Sequence, residues 1–258
     1  SFPASTYKVM LDSLRQRGFE VDAVEMYGHD PQYPVTNNWP HLVQQLADFA
    51  RAKQGDGEPA FLIGHSLGGI LSLMCAARHP ELARGVVLID SPVLGGWKAT
   101  TLGLAKRTAL VGALSPGRIS QKRRNHWPSM AAALDNFQHK KAFARWDPQV
   151  LHDYIEHGTH DADGQRVLSF DRDVETAIYN SLPHNLDSLL KRHPLKCPAA
   201  FIGGTHSAEM RQVGKELTHQ VVKGRVMMLD GSHLIPMEKP LATAAAIEAS
   251  LRNLGALA

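Results

Sequence analysis

The segment around Ser66 has the residue types and the spacing of a nucleophile held on a tight turn. A short apolar run leads into a serine flanked by glycines, Phe61-Leu62-Ile63-Gly64-His65-Ser66-Leu67-Gly68-Gly69. A serine on a strained turn between a strand and a helix projects its hydroxyl above the sheet, and side chains at Gly64 and Gly68 would collide with the crossing backbone. The following helix directs its N-terminal amides toward negative charge near Ser66. The pattern predicts a nucleophilic serine.

Among the 14 histidines, His233 has the setting of a general base. It lies on a loop of small residues between the last predicted strand and the final helix, Leu229-Asp230-Gly231-Ser232-His233. Such a loop carries an imidazole over the carboxyl edge of the sheet, where open α/β sheets bind their ligands. A base must approach the serine oxygen to about 2.6–3.2 Å, which this position allows. His65, next to the serine, is expected to point away from the hydroxyl and to have a structural packing role.

Short apolar strands alternate with amphipathic helices at both ends of the chain. Periodicity and turn residues predict helices over 7–17, 39–53, 67–78, 210–219 and 241–251, and strands over 19–26, 60–63, 85–89, 199–203 and 225–229. This alternation is typical of an α/β fold with a mostly parallel sheet flanked by helices.

The alternation stops between residues 94 and 193, where the pattern shows helical segments without strand periodicity. We therefore predict an inserted α-helical cap over 94–193, between two parts of one core, 1–93 and 194–258. Large apolar residues of the cap, and one that follows the His233 loop, are candidates to line a substrate pocket: Trp97, Trp127, Trp146 and Met237.

One group of polar cap residues could suggest a metal site: His152, His157, His160, Asp161 and Asp163. Their segment ends in Asp-Ala-Asp-Gly, which is typical of a solvated turn, so we expect no metal there.

The composition excludes several classes of protein. The chain has 258 residues, 43% of them hydrophobic, with 28 basic and 25 acidic residues and a net charge of +3. That charge is too small to predict binding to nucleic acid or to an acidic membrane surface. No apolar run approaches the roughly 18–20 residues of a membrane span. Two distant cysteines form neither a disulfide framework nor a zinc pattern, so we expect a cytoplasmic protein, with monomer and homodimer both open.

The motifs taken together resemble the α/β-hydrolase superfamily, in its serine-nucleophile branch with a helical cap. The resemblance rests on the Ser66 segment, on Gly28-His29-Asp30 and on Gly231-Ser232-His233. It covers nearly the whole chain, although the cap is similar only in its position and helical character. The resemblance implies the chain order nucleophile, acid, histidine, and no cofactor.

The acid is the point at which this sequence departs from the family. The family usually has an aspartate after the strand preceding the last one, where this chain has Ser207. Asp90, at the end of the predicted strand 85–89, is our favoured replacement, because some family members place the acid there. Glu209, two residues late on the usual loop, is the alternative, and an acid-free dyad or another acid stays open. The acid would hold the imidazole tautomer and stabilise the imidazolium.

An oxyanion formed on the substrate needs two amide donors. The N–H of Leu67, the residue after the nucleophile, should be one of them. By resemblance, the second lies on a loop after an early strand, and residues 1–5 resemble the end of that loop, with Phe2 as the best donor. On this interpretation the chain begins inside the loop, and we expect further strands upstream of Ser1.

The predicted reaction is acyl transfer to water through an acyl-enzyme, with a small-molecule acyl substrate. Carboxylic ester hydrolysis is the default. Lactone, thioester, amide and carbon–carbon bond hydrolysis use the same groups and remain open. A non-catalytic ligand-binding receptor that retains the three residues is the alternative from another class.

Overall fold

The computed structural model describes residues 2–91, 93, 95, 120–213 and 216–255. Its strands are, in chain order, β1 (Ala60–His65), β2 (Ala83–Ile89), β3 (His126–Trp127), β4 (Thr159–Ala162), β5 (Gln165–Leu168), β6 (Ala199–Gly204) and β7 (Val226–Leu229). Its α-helices with assigned bounds are α1 (Lys8–Gln16), α2 (Pro40–Gln54), α3 (Leu67–Arg78), α4 (Met130–Gln138), α5 (Pro148–His157), α6 (Arg172–Asn180), α7 (Leu186–Arg192), α8 (Ala208–Val213), α9 (Glu216–Val222), α10 (Ile235–Glu238) and α11 (Pro240–Asn253).

The main sheet has the strand order β1-β2-β6-β7, and every neighbouring pair is parallel. Alternate residues of β2 enter separate cores. Leu88 packs in the core that contains α2 and α3, whereas Val87 and Ile89 pack in the core that contains α1 and α11. Both faces of the strand are therefore buried, which explains why its sequence is an unbroken apolar run. The predicted parallel sheet with helices on both sides is confirmed.

Residues 19–26, predicted as a strand, do not form one. Their alternation of apolar and acidic residues has a different cause. Phe19 and Val21 pack at the margin of the core beneath α1 and α11, while the acidic side chains between them face outward. The segment follows α1 as an irregular chain, and Arg15 donates to the Val21 carbonyl oxygen (2.9 Å). A period of two is necessary for a half-buried strand, but only pairing with a neighbouring strand makes one.

The predicted cap contains strands as well as helices, which corrects the expectation of a wholly helical insertion. β3, β4 and β5 form an antiparallel sheet in the order β3-β5-β4. The β4–β5 hairpin turns at Asp163 and Gly164, both with positive φ (49° and 74°), as a two-residue type I′ turn requires. An Asp-Gly pair is typical of a tight hairpin turn. Our prediction of a solvated turn at this pair did not include the two flanking strands.

Within the described residues, every helix falls short of the length and apolar character that crossing a bilayer demands.

Candidate active site

The residues predicted to carry chemistry follow strands of the main sheet at its carboxyl edge. Ser66 follows β1 directly and Asp90 follows β2 directly, while His233 lies on the loop between β7 and α10. Backbone hydrogen bonds continue the strand pairing past the strand ends. The N–H of Ser66 donates to the Ile89 oxygen (3.0 Å), and the N–H of Asp90 donates to the Ile202 oxygen (2.7 Å). The sheet thus fixes the backbone at both positions.

Ser66 has a strained backbone at the junction of β1 and α3. Its φ of 54° and ψ of −118° lie in a region that residues other than glycine rarely occupy. Leu67 is the first residue of α3, and the first four N–H groups of a helix have no acceptor within it. The turn therefore presents a hydroxyl and a free helix N-terminal amide together, as an oxyanion donor at Leu67 requires.

Two glycines, Gly64 and Gly69, allow this turn, and the spacing predicted only the first of them. A Cβ at Gly64 would lie 2.0 Å from the Gly68 carbonyl carbon, and one at Gly69 would lie 2.8 Å from the Gly64 oxygen. A Cβ at Gly68 would meet nothing within 4 Å. The expected collision at Gly68 is therefore wrong, because α3 has already turned that position away from β1.

His233 connects the serine to a carboxylate. Its Nε2 lies 3.0 Å from Ser66 Oγ, and its Nδ1 lies 2.7 Å from Asp90 Oδ1. A carboxylate only accepts, so Nδ1 carries the proton and Nε2 is left to accept from the serine hydroxyl. The imidazole can therefore take the serine proton while Asp90 holds its orientation.

Asp90 is completely buried, and three donors meet its two oxygens. Oδ2 accepts the N–H of Gly204 (2.7 Å), and Oδ1 accepts both the Ser207 hydroxyl (2.6 Å) and the His233 ring. Burial acts to raise the pKa of Asp90, but hydrogen bonds from His233, Gly204 and Ser207 outweigh it and hold this pKa below its ordinary value. The carboxylate is therefore ionised, as an orienting acid must be.

Glu209, the alternative acid, lies exposed in the first turn of α8. Its Oε2 is 3.5 Å from Ser207 Oγ, and Ser207 in turn donates to Asp90. The structure thus brings Asp90, and not Glu209, into contact with His233. Ser207 occupies the position at which the resemblance led us to expect an acid, and it contacts the carboxylate that replaces it.

His65 has a contact that sequence reasoning missed. Its Nε2 lies 2.7 Å from the backbone oxygen of His233, and its Nδ1 lies 2.7 Å from the Tyr7 hydroxyl. Burial of the ring, reinforced by the neighbouring His233 imidazole, lowers the pKa of His65 to about 3. The ring is therefore neutral, with Nε2–H donating to the carbonyl and Nδ1 accepting from Tyr7. His65 thereby ties the His233 loop to the strand that bears the nucleophile.

The predicted pocket residues differ in their surroundings. Trp97 lies outside the described residues. Trp127 is buried, and its indole N–H already donates to Asn136 (3.1 Å); Met237 is also fully buried. Their positions suit packing in the cap core better than contact with substrate. Trp146 is different, because its buried indole N–H has no hydrogen-bond partner among the described residues.

Phe2, the second predicted oxyanion donor, packs against the apolar cluster that contains Trp127, Trp146 and Met237. Its ring packs edge-on against Trp146 (centroids 5.4 Å apart) and Tyr154 (5.5 Å). Leu234, the residue after His233, belongs to the same apolar cluster. The N-terminal segment, the base of the cap and the His233 loop thus meet in one place.

One group of potential metal ligands occurs on α5 among the described residues. His152, Asp153 and Glu156 bring their ligand atoms within 4.8 Å of one another. His152 and Glu156 are exposed, and their ion-pair distance of 3.5 Å is that of an ordinary i,i+4 pair on a helix. Of the five polar residues considered from the sequence, only His152 belongs to this group.

Comparison with known proteins places these observations in context. The model of the Alpha/beta hydrolase family matches residues 1–246. A serine hydrolase-like protein of Dictyostelium discoideum is 23% identical over 257 residues, which cover 91% of this chain and 68% of that protein.

Two solved structures show the same fold. The structure of E-2-(acetamidomethylene)succinate hydrolase superposes with a TM-score of 0.71 at 21% identity, covering 97% of this chain and 88% of that one. An esterase of M. tuberculosis, described in a study of transition metal inhibition, superposes with a TM-score of 0.68 at 22% identity, covering 97% and 82%.

The close backbone approach at the turn between β1 and α3 predicts opposite results for two matched glycine substitutions. Gly64→Ala should lower the free energy of unfolding by about 3 kcal/mol or more, because its methyl group would overlap backbone atoms. Gly68→Ala should leave this free energy unchanged or raise it by up to about 1 kcal/mol, through better helix propensity. Urea unfolding of both variants measures the difference. Equal destabilisation by the two would contradict the assignment of the close approach to Gly64.

The neutral His65 predicts a dependence of stability on pH. The unfolded chain binds a proton at the ordinary pKa of 6.5, whereas the folded protein binds it only near 3, so the stability supplied by neutral His65 is lost as pH falls through that window. From about pH 6.5 to 4.5, the free energy of unfolding should fall by about 1–2 kcal/mol more in the wild type than in His65→Gln. Urea unfolding at a series of pH values measures both slopes, and identical slopes would rule out a depressed pKa at His65.

Proposed function

The chain belongs to the alpha/beta hydrolase family, and we propose that, as a hydrolase of that family, it cleaves a small carboxylic ester or related acyl compound through an acyl-enzyme on Ser66. The observation that carries this proposal is the hydrogen-bonded series from Ser66 Oγ through the His233 ring to Asp90. Each atom in that series has the donor or acceptor character that nucleophilic catalysis needs.

In the first half of the reaction, Ser66 Oγ attacks the substrate carbonyl carbon and its proton passes to Nε2 of His233. Asp90 accepts from Nδ1–H throughout, which stabilises the imidazolium that forms. The oxygen of the tetrahedral intermediate becomes negative and accepts from the N–H of Leu67, with Phe2 as the proposed second donor. Collapse of the intermediate expels the alkoxide, which takes the proton from Nε2.

In the second half, water replaces the alcohol. Nε2 of His233 accepts a proton from the water as its oxygen attacks the acyl carbon, and the same amides donate to the new oxyanion. Expulsion of Ser66 Oγ, reprotonated by His233, releases the carboxylic acid. No cofactor takes part in this sequence, and the groups that move protons are His233 and Ser66.

Two further observations favour an ester as the substrate. A structural relative is an esterase, and the Dictyostelium relative is serine hydrolase-like, which supports acyl chemistry on Ser66. The buried indole N–H of Trp146 has no hydrogen-bond partner among the described residues and lies in an apolar cluster with Leu234, which supports a small acyl group bound near the base of the cap. Trp146 is accordingly our preferred substrate-lining residue.

The proposal predicts turnover that depends on Ser66. The wild type should hydrolyse p-nitrophenyl butyrate, and Ser66→Ala should lower kcat by roughly 10⁴- to 10⁶-fold because the nucleophile is removed. Release of p-nitrophenolate from a panel that also contains a lactone and a thioester measures the rates and identifies the preferred bond. Binding of these compounds without any turnover would instead support a ligand-binding receptor.

The contacts of the two candidate acids predict a clear difference between them. Asp90→Asn should lower kcat by about 10³- to 10⁴-fold, because an amide cannot hold His233 in the required tautomer. Glu209→Gln changes an exposed side chain by the same isosteric step and should stay within about 3-fold of the wild type. Steady-state kinetics of the pair decide the matter. A larger loss in Glu209→Gln than in Asp90→Asn would overturn the assignment of Asp90.

A further inference from the structure

Ser207 contacts the oxygen of Asp90 that also holds the imidazole. Ser207 Oγ lies 2.6 Å from Asp90 Oδ1, and that same oxygen lies 2.7 Å from His233 Nδ1. Ser207 is only 2% exposed and Asp90 is not exposed at all, so water does not compete for these bonds. In a buried setting, hydrogen bonds to a charged group are among the stronger polar interactions.

The direction of the bond follows from the partners. The ionised carboxylate only accepts, so the single proton of the Ser207 hydroxyl is donated to Oδ1. The other contacts of Oγ are longer: the N–H of Met210 donates to it at 3.3 Å, and Glu209 Oε2 lies 3.5 Å away. Asp90 Oδ1 therefore accepts hydrogen bonds from both Ser207 and His233, and its negative charge stabilises both donors.

The second oxygen of the Asp90 carboxylate, Oδ2, cannot replace Oδ1 as the acceptor for His233. Asp90 Oδ2 accepts the N–H of Gly204 at 2.7 Å, which fixes the rotation of the carboxylate group. Oδ1 therefore remains the oxygen that accepts from His233 Nδ1. The hydrogen bond from Ser207 to the same oxygen weakens the electrostatic stabilisation that Oδ1 gives the imidazolium.

Building on the proposed function, we propose that Ser207 is a positioning residue that acts on His233 through Asp90. Its hydroxyl holds Oδ1 in line with Nδ1 and moderates the charge that stabilises the imidazolium. Removing the hydroxyl should leave Oδ1 with more charge for His233, so the imidazole should take up its proton at higher pH.

A purely structural role makes a different prediction. Ser207 precedes α8 (Ala208–Val213), and its acceptance of the Met210 N–H is the bond of a helix N-cap. Loss of a cap lowers stability but leaves the protonation of His233 unchanged. The titration of His233 thus separates the two roles.

Few charged or titratable groups of the described residues surround this contact. His65 on β1 faces His233, with ring centroids 5.0 Å apart, and stays neutral because burial lowers its pKa to about 3. Tyr7 meets His65 from the N-terminal segment, Asp90 follows β2, and Glu209 of α8 lies beside Ser207. Glu238 of α10 accepts the N–H and the hydroxyl of Ser232, the residue before His233. All of these groups remain in place when only the Ser207 hydroxyl is removed.

The test compares Ser207→Ala with Ser207→Thr, which keeps a hydroxyl donor. Ser72→Ala is the control for loss of a buried hydroxyl, since Ser72 donates only to its own helix at Gly68 (2.8 Å). NMR titration of the His233 ring and the pH profile of kcat/KM for p-nitrophenyl butyrate are the two readouts. Thermal unfolding reports the folded state of each variant.

In Ser207→Ala, we expect the midpoint of the His233 titration and the acidic limb of kcat/KM to move up by about 0.5 pH units. We also expect kcat to fall by about 10-fold, because Oδ1 is no longer held in line with Nδ1 of His233. Ser207→Thr and Ser72→Ala should keep the wild-type midpoint. An unmoved midpoint in folded Ser207→Ala, even with lower stability, would overturn the positioning role.

The NMR titration needs no turnover, so the two proposals fail separately. If the wild type hydrolyses nothing in the panel, the proposed function is wrong, yet the midpoints still decide whether Ser207 acts on His233 through Asp90. If turnover is present and the midpoints coincide, only the role of Ser207 is wrong.

Discussion

The carboxylate of Asp90 has no access to solvent, and the carboxyl edge of the sheet is arranged around that charge. A buried charge is costly unless hydrogen bonds replace its hydration. The donors that do so are Gly204, Ser207 and His233, which belong to the end of β6, the loop before α8 and the loop after β7. The hydrogen bonds to the buried Asp90 carboxylate thus hold two loops against the end of β2. One of these loops carries His233, whose ring contacts Ser66.

Two neighbouring imidazoles have separate tasks in this arrangement. His65 stays neutral and uses its Nε2–H to hold the backbone of the His233 loop, while Tyr7 satisfies its other nitrogen. His233 has one nitrogen on Asp90 and the other on Ser66. The first ring fixes where the loop lies, and the second is then free to exchange a proton. Ser66 and Asp90, the two residues whose side chains hydrogen-bond to the His233 ring, both have positive φ (54° and 44°).

The fold could be predicted where local sequence and tertiary structure agree. The apolar runs of β2 and β6 are buried on both faces, whereas the run of β1 is buried at Leu62 and partly buried elsewhere. Their lengths and flanking residues were enough to identify all three strands. Residues 19–26 have the alternation of a strand but follow α1 as irregular chain, because alternation records burial and not pairing. The β4–β5 hairpin was missed for the opposite reason: its histidines and aspartates suggested solvent, although Asp163-Gly164 is suited to a tight hairpin turn.

Local sequence patterns were sufficient for the features that a few consecutive residues encode. These patterns identified Ser66, because the glycines, the strand and the helix that form its turn are adjacent in the chain. They identified His233 because its loop follows the last strand. The choice between Asp90 and Glu209, the contact of Ser207 with Asp90 and the anchoring role of His65 were decided by the tertiary structure alone. They depend on the order β1-β2-β6-β7, which brings residues more than 100 positions apart to one edge of the sheet. Strand order is set by nonlocal packing, so no local pattern in the sequence specifies which distant side chains will meet.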